Sequence, residues 1–328
     1  MTGLFDSWQR QINYLRISVT DRCNLRCLYC TAQPFAPISH DDVLRYEEIY
    51  RVAQAAASLG ISKVRLTGGE PLVRLYLSQL VKMLSKIEGI DDISLTTNGI
   101  LLSKYAVELK EAGLKRVNVS LDTLKKDKFK RITGGDKLGE VLSGIEAARL
   151  AGLNPVKTNM VVMRGINDDE IIDFARMTTN EEWHIRFIEL MPFGTADASV
   201  SMTVPTQEIR ERIQSLGKLE PYTGLMGNGP AKYYRLPGAK GTIGFITPMT
   251  EHFCDTCNRL RLTSDGYLRP CLLDDEEINL KDSLRNGAGM DELRQLIQQA
   301  VAIKQERHHL SGGLAPGTAM RPMCQIGG

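Results

Sequence analysis

Residues 15–30 read LRISVTDRCNLRCLYC, a short β-branched run followed at once by three cysteines spaced C-x3-C-x2-C. LRISVT has the length and composition of a buried strand. Cys23, Cys27 and Cys30 therefore fall in the loop at its C-terminal end. A structural zinc takes four ligands in a closed tetrahedron, yet no fourth cysteine lies nearby and the first histidine is His40. Three thiolates suit a four-iron cubane with one iron left open to a small molecule, by the logic that keeps one position open on catalytic zinc. A partial zinc site, or three ordinary thiols, is the plainer alternative.

Five more strand-like segments follow: KVRLTG (63–68), DISLTTN (92–98), RVNVSLD (116–122), VKTNMVVM (156–163) and HIRFIELM (184–191). Helical stripes separate them, such as Ile49, Val52, Ala53, Ala56 and Leu59 before Gly60, and Leu77, Leu80, Val81, Leu84 and Ile87 before Gly89. Glycine just past a stripe is a helix stop, because it adopts the left-handed conformation cheaply. Strands alternating with helices predict an α/β fold of parallel strands. About six βα units fall short of the eight of a closed barrel, so the expectation is a partial, incomplete TIM-type barrel, with a doubly wound open sheet as the competing topology. In a barrel the loops after the strands carry the active site, where the first cysteine triplet sits.

After about residue 200 the rhythm changes, which predicts a barrel over 1–200 and a smaller C-terminal α+β domain over 201–328. FGTADASVSMTVPT (193–206) reads as a connector, YYRLPG (233–238) and TIGFIT (242–247) as antiparallel strands, RLRLTSDGYLRP (259–270) as a hairpin, and 289–305 as a helix. This part carries a second triplet, Cys254-x2-Cys257-x13-Cys271. His252 could complete a Cys3His zinc set here, although only Phe253 separates it from Cys254. Cys324 stands alone near the C-terminus and reads as an exposed thiol or a neighbour of the second site.

Forty-one basic and 39 acidic residues give a net charge of +2, which offers no global field for nucleic acid. No apolar run approaches the roughly 18 residues of a membrane span. The segment MTGLFDSWQRQ lacks the apolar block of a secretory signal. A reducing, cytoplasmic setting is expected, where clustered cysteines mean metal or redox chemistry.

CNLRCLYC resembles the signature of the radical S-adenosylmethionine (SAM) family, with Tyr29 as the aromatic between the last two ligands. Gly68-Gly69-Glu70-Pro71 after the second strand resembles the segment that holds the amino group of SAM in that family. FCDTCNRLRLTSDGYLRPC (253–271) and the segments KVRLTGGEP, LTTNG, VNVSLDTL, NMVVMRGIND, IRFIELMP and the terminal Gly-Gly, in that order, resemble more narrowly the GTP 3′,8-cyclases of molybdenum cofactor biosynthesis. The resemblance implies a cyclase of the lyase class that converts GTP to 3′,8-cyclo-7,8-dihydro-GTP. It implies two [4Fe-4S] clusters, one on Cys23, Cys27 and Cys30 and one on Cys254, Cys257 and Cys271, with SAM held by Tyr29, Gly69, Ser120 and Met191. GTP would meet Arg16, Arg65, Thr96, Lys157, Arg259, Leu260 and Arg261, and Arg259, Arg261, Gly327 and Gly328 would act in catalysis.

The basic residues suit that substrate, since arginine forks match phosphate oxygens in pairs and lysine adds a point charge. Arg16, Arg65 and Lys157 must then point into one cavity, and Arg259 and Arg261 share a parity that puts both on one side of a strand. The implied partners are GTP, an electron donor and an enzyme that consumes the product, with a homodimer allowed and neither nucleic acid nor membrane expected. Two rivals are a radical SAM enzyme acting on a peptide and a zinc-dependent binding module.

Overall fold

The computed structural model describes residues 3–30, 36–191, 201–225, 227, 229–308 and 321–327. The strands form in the order expected: β1 Tyr14–Ser18, β2 Lys63–Thr67, β3 Asp92–Thr97, β4 Arg116–Ser120, β5 Lys157–Val162 and β6 His184–Glu189. Helices follow them at Tyr46–Ser58 (α1, between β1 and β2), Leu77–Leu84 (α2), Leu102–Glu111 (α3), Lys126–Thr133 (α4), Leu138–Leu150 (α5) and Ile171–Asn180 (α6). The helix after β6, Thr206–Ile213 (α7), begins at the end of the stretch read as connector, whose residues 193–200 lie outside the described ones.

All strands among the described residues belong to one sheet, ordered β12-β11-β10-β1-β2-β3-β4-β5-β6-β9-β8-β7. Here β7 is Glu220–Pro221, β8 Lys232–Arg235, β9 Thr242–Ile246, β10 Arg259–Leu262, β11 Tyr267–Arg269 and β12 Ile278–Asn279. The C-terminal strands thus do more than pair with one another. β9 runs parallel to β6 and β10 parallel to β1, each carrying an antiparallel arm, so the parallel series extends at both edges. The strictly sequential order from β1 to β6 excludes the doubly wound alternative, which needs a reversal of strand order. Right-handed crossovers without a reversal put every helix on one face, and such a sheet curls. The curl is visible in that Arg65 on β2 and Arg186 on β6 line one cavity, although four strand spacings, roughly 19 Å on a flat sheet, separate them. β9 and β10 are not paired with each other, so the barrel stays open.

Each strand alternates rather than being apolar on both faces. Leu15, Ile17, Val64, Leu66, Leu95, Val117, Val119, Met160, Ile185 and Phe187 face the helices and form the main core. The helix stripes meet them, with Ile49, Val52, Ala53, Ala56, Leu80, Val81 and Leu84 at most 1% exposed. The opposite parity fills the lumen with polar groups. Among the described residues no helix is long and apolar enough to cross a membrane.

Candidate functional site

Strand register builds the lumen. Arg16 lies opposite Arg65 on one side and Arg261 on the other, and Arg65 opposite Ser94, itself opposite Arg116. One layer along, Thr96 faces Asn118, which faces Lys157, and Asn159 faces Arg186. Arg116 is ion-paired with Asp92. Arg65, Arg186, Arg259 and Arg261, each at most 9% exposed, pair with no described carboxylate. Asn118 Nδ2 and Oδ1, Thr96 Oγ1, Asn159 Oδ1 and Arg186 Nε are buried without a hydrogen-bond partner. Such orphaned groups cost free energy unless a polar ligand meets them.

The electrostatics agree. Burial, then the nearby cations Arg186, Arg116 and Arg65, push the Lys157 ammonium down to about 6. Burial and then Arg259 bring Arg261 down to about 10, and burial and then Arg261 hold Arg16 well below the usual arginine range. A row of buried cations destabilising one another in this way is a cradle for an anion.

The first triplet opens on a cavity lined by Cys23, Cys27, Cys30, Tyr29, Gly68, Gly69, Thr96, Ser120, Asp122 and Met191. Four of the residues read from sequence as SAM contacts, Tyr29, Gly69, Ser120 and Met191, thus converge here, and Thr96 joins them. Buried carboxylates lace the surrounding loops. Glu70 accepts from the Leu72 amide (3.0 Å), the Thr97 hydroxyl (2.7 Å) and the Asn98 amide (2.6 Å), while burial raises it to about 7. Asp122 accepts from Tyr29 Oη at 2.8 Å and the Val161 amide at 2.9 Å, tying the cysteine loop to β5. Glu189 accepts from Thr206, Met249 and Thr250, joining the start of α7 to the loop after β9.

The second triplet lines an adjoining cavity with Arg259, Arg261, Phe253, His308 and, again, Met191. The two cysteine trios therefore face adjoining spaces that share a wall. Arg259 Nη2 donates to Cys257 Sγ at 3.6 Å. Burial raises the Cys257 thiol, but Arg259 and then Lys304 outweigh it and bring it down to about 6. His252 turns away from a Cys3His set: its Nδ1 lies 2.9 Å from the Pro248 carbonyl and 3.1 Å from His308 Nε2. Among the described residues no three His, Cys, Asp or Glu side chains converge on a single ion. A cubane asks for a different arrangement, since its thiolates bind separate irons, and the donor chemistry of both trios fits it.

Leu260 is fully buried in the core, on the face opposite Arg259 and Arg261. Cys324 corrects its sequence reading. It is neither exposed nor near the second trio but 1% exposed on the short helix Met323–Ile326, with its amide directed at Cys30. The next residue but two, Gly327, accepts from Arg261 Nη1 at 2.5 Å, and Gly328 lies outside the described residues. Sequence reasoning passed over Arg186, Arg116, Asn118, Asn159 and Asp122. Period-two alternation of polar residues along each strand was the signal that marks the first four.

A model of the radical SAM superfamily matches residues 17–178, and one described as Molybdenum Cofactor Synthesis C matches residues 183–310. The chain is 56% identical to the GTP 3′,8-cyclase of Moorella thermoacetica over 98% of this chain and 99% of that one. It is 54% identical to the GTP 3′,8-cyclase of Pelotomaculum thermopropionicum over 98% and 99%. Among solved structures, Streptococcus suis SuiB bound to S-adenosylmethionine superposes with a TM-score of 0.62 at 14% identity, covering 87% of this chain and 68% of that one, which is a likeness of fold alone. With end-to-end identity of this degree and both thiol trios in place around a cationic lumen, the chain belongs to the GTP 3′,8-cyclase family of radical SAM enzymes.

Proposed function

We propose that this protein converts GTP to 3′,8-cyclo-7,8-dihydro-GTP, the first step of molybdenum cofactor biosynthesis, in the cytoplasm. The observation that carries the reading is the lumen of buried cations and orphaned polar groups running between two thiol trios. Cys23, Cys27 and Cys30 would hold one [4Fe-4S] cluster and Cys254, Cys257 and Cys271 the other. A cluster held by the first trio would supply the electron that splits SAM into methionine and a 5′-deoxyadenosyl radical, the species able to take the 3′ hydrogen of the ribose. Tyr29, Gly69, Ser120 and Met191 orient SAM. Arg16, Arg65 and Lys157, joined by Arg186, neutralise the triphosphate, and Thr96 meets the substrate from the wall of the first cavity. Arg259 and Arg261 sit at the base end beside the second trio, with Leu260 fixing their strand in the core. Holding ribose and base from opposite ends brings C3′ and C8 together, the positional contribution that an intramolecular cyclisation needs. Residues 1–200 act as the radical-generating barrel, and 201–328 supply the second cluster and the Gly327–Gly328 tail. The implied partners are an electron donor, the enzyme that consumes the product, and a second copy of the chain.

The test is anaerobic incubation of the reconstituted, reduced protein with GTP and SAM. The cyclised nucleotide and about eight irons per chain are expected. SAM cleavage with GTP left intact excludes the substrate.

Lys157 gives a pH signature. With the ammonium depressed to about 6, it is mostly neutral at pH 7.5 and is recharged when phosphate arrives. GTP binding at pH 7.5 is therefore expected to take up about one proton through this group. Affinity should strengthen as pH falls from 8 toward 6 and flatten below. Calorimetry in buffers of different ionisation enthalpy checks it. Proton uptake of the same size in Lys157→Met assigns the proton elsewhere.

A further inference from the structure

We propose that Lys304 is a positioning residue of the Cys254/Cys257/Cys271 site, tethering its ligand segments and providing the buried counter-charge that sets the reduction potential of the cluster held there; this rests on the two-cluster reading above. Lys304 follows the helix Met290–Ala302 and is 3% exposed. Its Nζ donates to the carbonyl of Arg259 at 3.2 Å and, by a shorter bond, to that of Pro270. Arg259 lies two residues after Cys257, and Pro270 immediately precedes Cys271. One ammonium thus ties together the two strands' ends that carry these ligands. The lysine is fixed in turn, since Trp8 Nε1 donates to its carbonyl at 3.1 Å.

The third ligand segment is pinned in the same fashion with one difference. Arg10 Nη1 donates to the Cys254 carbonyl at 2.8 Å, but its Nε is paired with Asp6 at 2.6 Å, so this clamp is locally neutral. Lys304 pairs with no carboxylate among the described residues, and the two groups that accept from its ammonium, Arg259 O and Pro270 O, are neutral carbonyls. Burying an unpaired cation is expensive, and here the anion that compensates it is the thiolate-held cluster. Reduction adds one electron to that cluster, and a fixed positive charge close by favours the more negative state. A tether without an electrostatic role would not move the potential.

The experiment uses the full chain with Cys23, Cys27 and Cys30 changed to alanine, so that only the second trio can bind iron. This background should hold about four irons after anaerobic reconstitution. Its midpoint is titrated with titanium(III) citrate, each Ti(III) giving one electron and leaving as Ti(IV). Lys304→Met and Lys304→Gln are expected to lower the equilibrium constant for reduction on the order of tenfold, about 59 mV for a one-electron couple. Lys304→Arg should restore it. If the methionine variant loses its iron, the glutamine variant, which can still donate to a carbonyl, carries the comparison. A midpoint unchanged in both neutral variants overturns the inference. A background protein that binds no iron overturns the two-cluster reading itself.

Discussion

Removing Gly327 and Gly328 is expected to stop GTP cyclisation while both clusters stay bound and the chain stays folded. Arg261→Ala is expected to do nearly the same. Gly327 accepts from Arg261 Nη1, and the Arg261 side chain is buried between Arg16 and the second thiol trio. A Cβ on Gly327 would come within 2.5 Å of Thr67 Cγ2, and its φ of +70° already disfavours a side chain. The tail therefore bridges the end of β2, on the side of the first thiol trio, to β10, beside the second. It also covers a charge that otherwise faces other cations. Truncating one partner of a buried, charge-assisted contact costs about 2–5 kcal/mol, so turnover should fall by roughly 30- to 5,000-fold. Iron content and melting temperature, measured alongside, should barely move, because among the described residues Gly327 contributes only its amide bond to the Met323 carbonyl and the bond it accepts from Arg261. Turnover at the full-length rate in the truncated chain would falsify the bridging role, and Gly327→Ala should fall between the two.

How far the sequence reveals this arrangement depends on the periodicity that encodes each part. The six central strands and the first helix stripes are legible because period 2 and period 3.6 are local signals. The places of β9 and β10 are not. TIGFIT and RLRL read as members of local antiparallel pairs, which they are, but each also docks on an edge of the barrel more than 50 residues away in sequence. Such long-range pairing leaves no local mark. The cysteine trios are legible because metal ligands are rare residue types at fixed spacing. Arg186 is not, because it lies within the family-like segment IRFIELMP but nothing in that segment's letters marks the arginine as facing the lumen. It gains meaning only from register, which sets it opposite Asn159 and Gly244. Gly244 is itself part of the device, since a Cβ there would meet Arg186 Cγ at 3.0 Å. The burial of Cys324 is illegible for a related reason: a thiol near a chain end is usually at the surface, and here Arg261 anchors the tail inside.

The polar lumen also explains why the core of this barrel lies outside the strands rather than within them. A TIM-type interior is ordinarily filled by branched apolar side chains. In this chain many inward positions carry arginine, lysine, serine, threonine and asparagine, and most hydrophobic burial is supplied by the strand–helix layer. Cations crowded in this way lower one another's affinity for protons, so the ligand-free lumen is strained electrostatically and a polyanion relieves it.

The second large effect is expected at Gly69, where Gly69→Ala should cost the first cluster and SAM binding while sparing the second cluster. The loops after β1 and β2 are zipped by main-chain hydrogen bonds: Val19 to Thr67 (2.9 Å), Gly69 to Thr20 (2.7 Å) and Glu70 to Arg22 (2.8 Å). A methyl group on Gly69 would sit 2.4 Å from the Arg22 carbonyl oxygen and 2.7 Å from that of Asp21. Both obstacles are backbone, so the loops must part, and Cys23 follows Arg22 directly. Overpacking of this kind costs about 1–3 kcal/mol in stability, a tolerable loss for a domain of this size. Function is less tolerant, because a displacement of about 1 Å at a reacting centre is worth about 10²-fold in rate. Gly165→Ala is the contrasting control: its φ of +69° strains the backbone, which is not so at Gly69, but nothing lies within 4 Å of the added methyl. Iron per chain in Gly69→Ala should fall to about half, the second cluster alone, and calorimetry should detect no SAM binding. Gly165→Ala should keep both and lose only stability. Wild-type SAM affinity in Gly69→Ala would show that the two loops are not the fixed cradle that their hydrogen bonds and close approach describe.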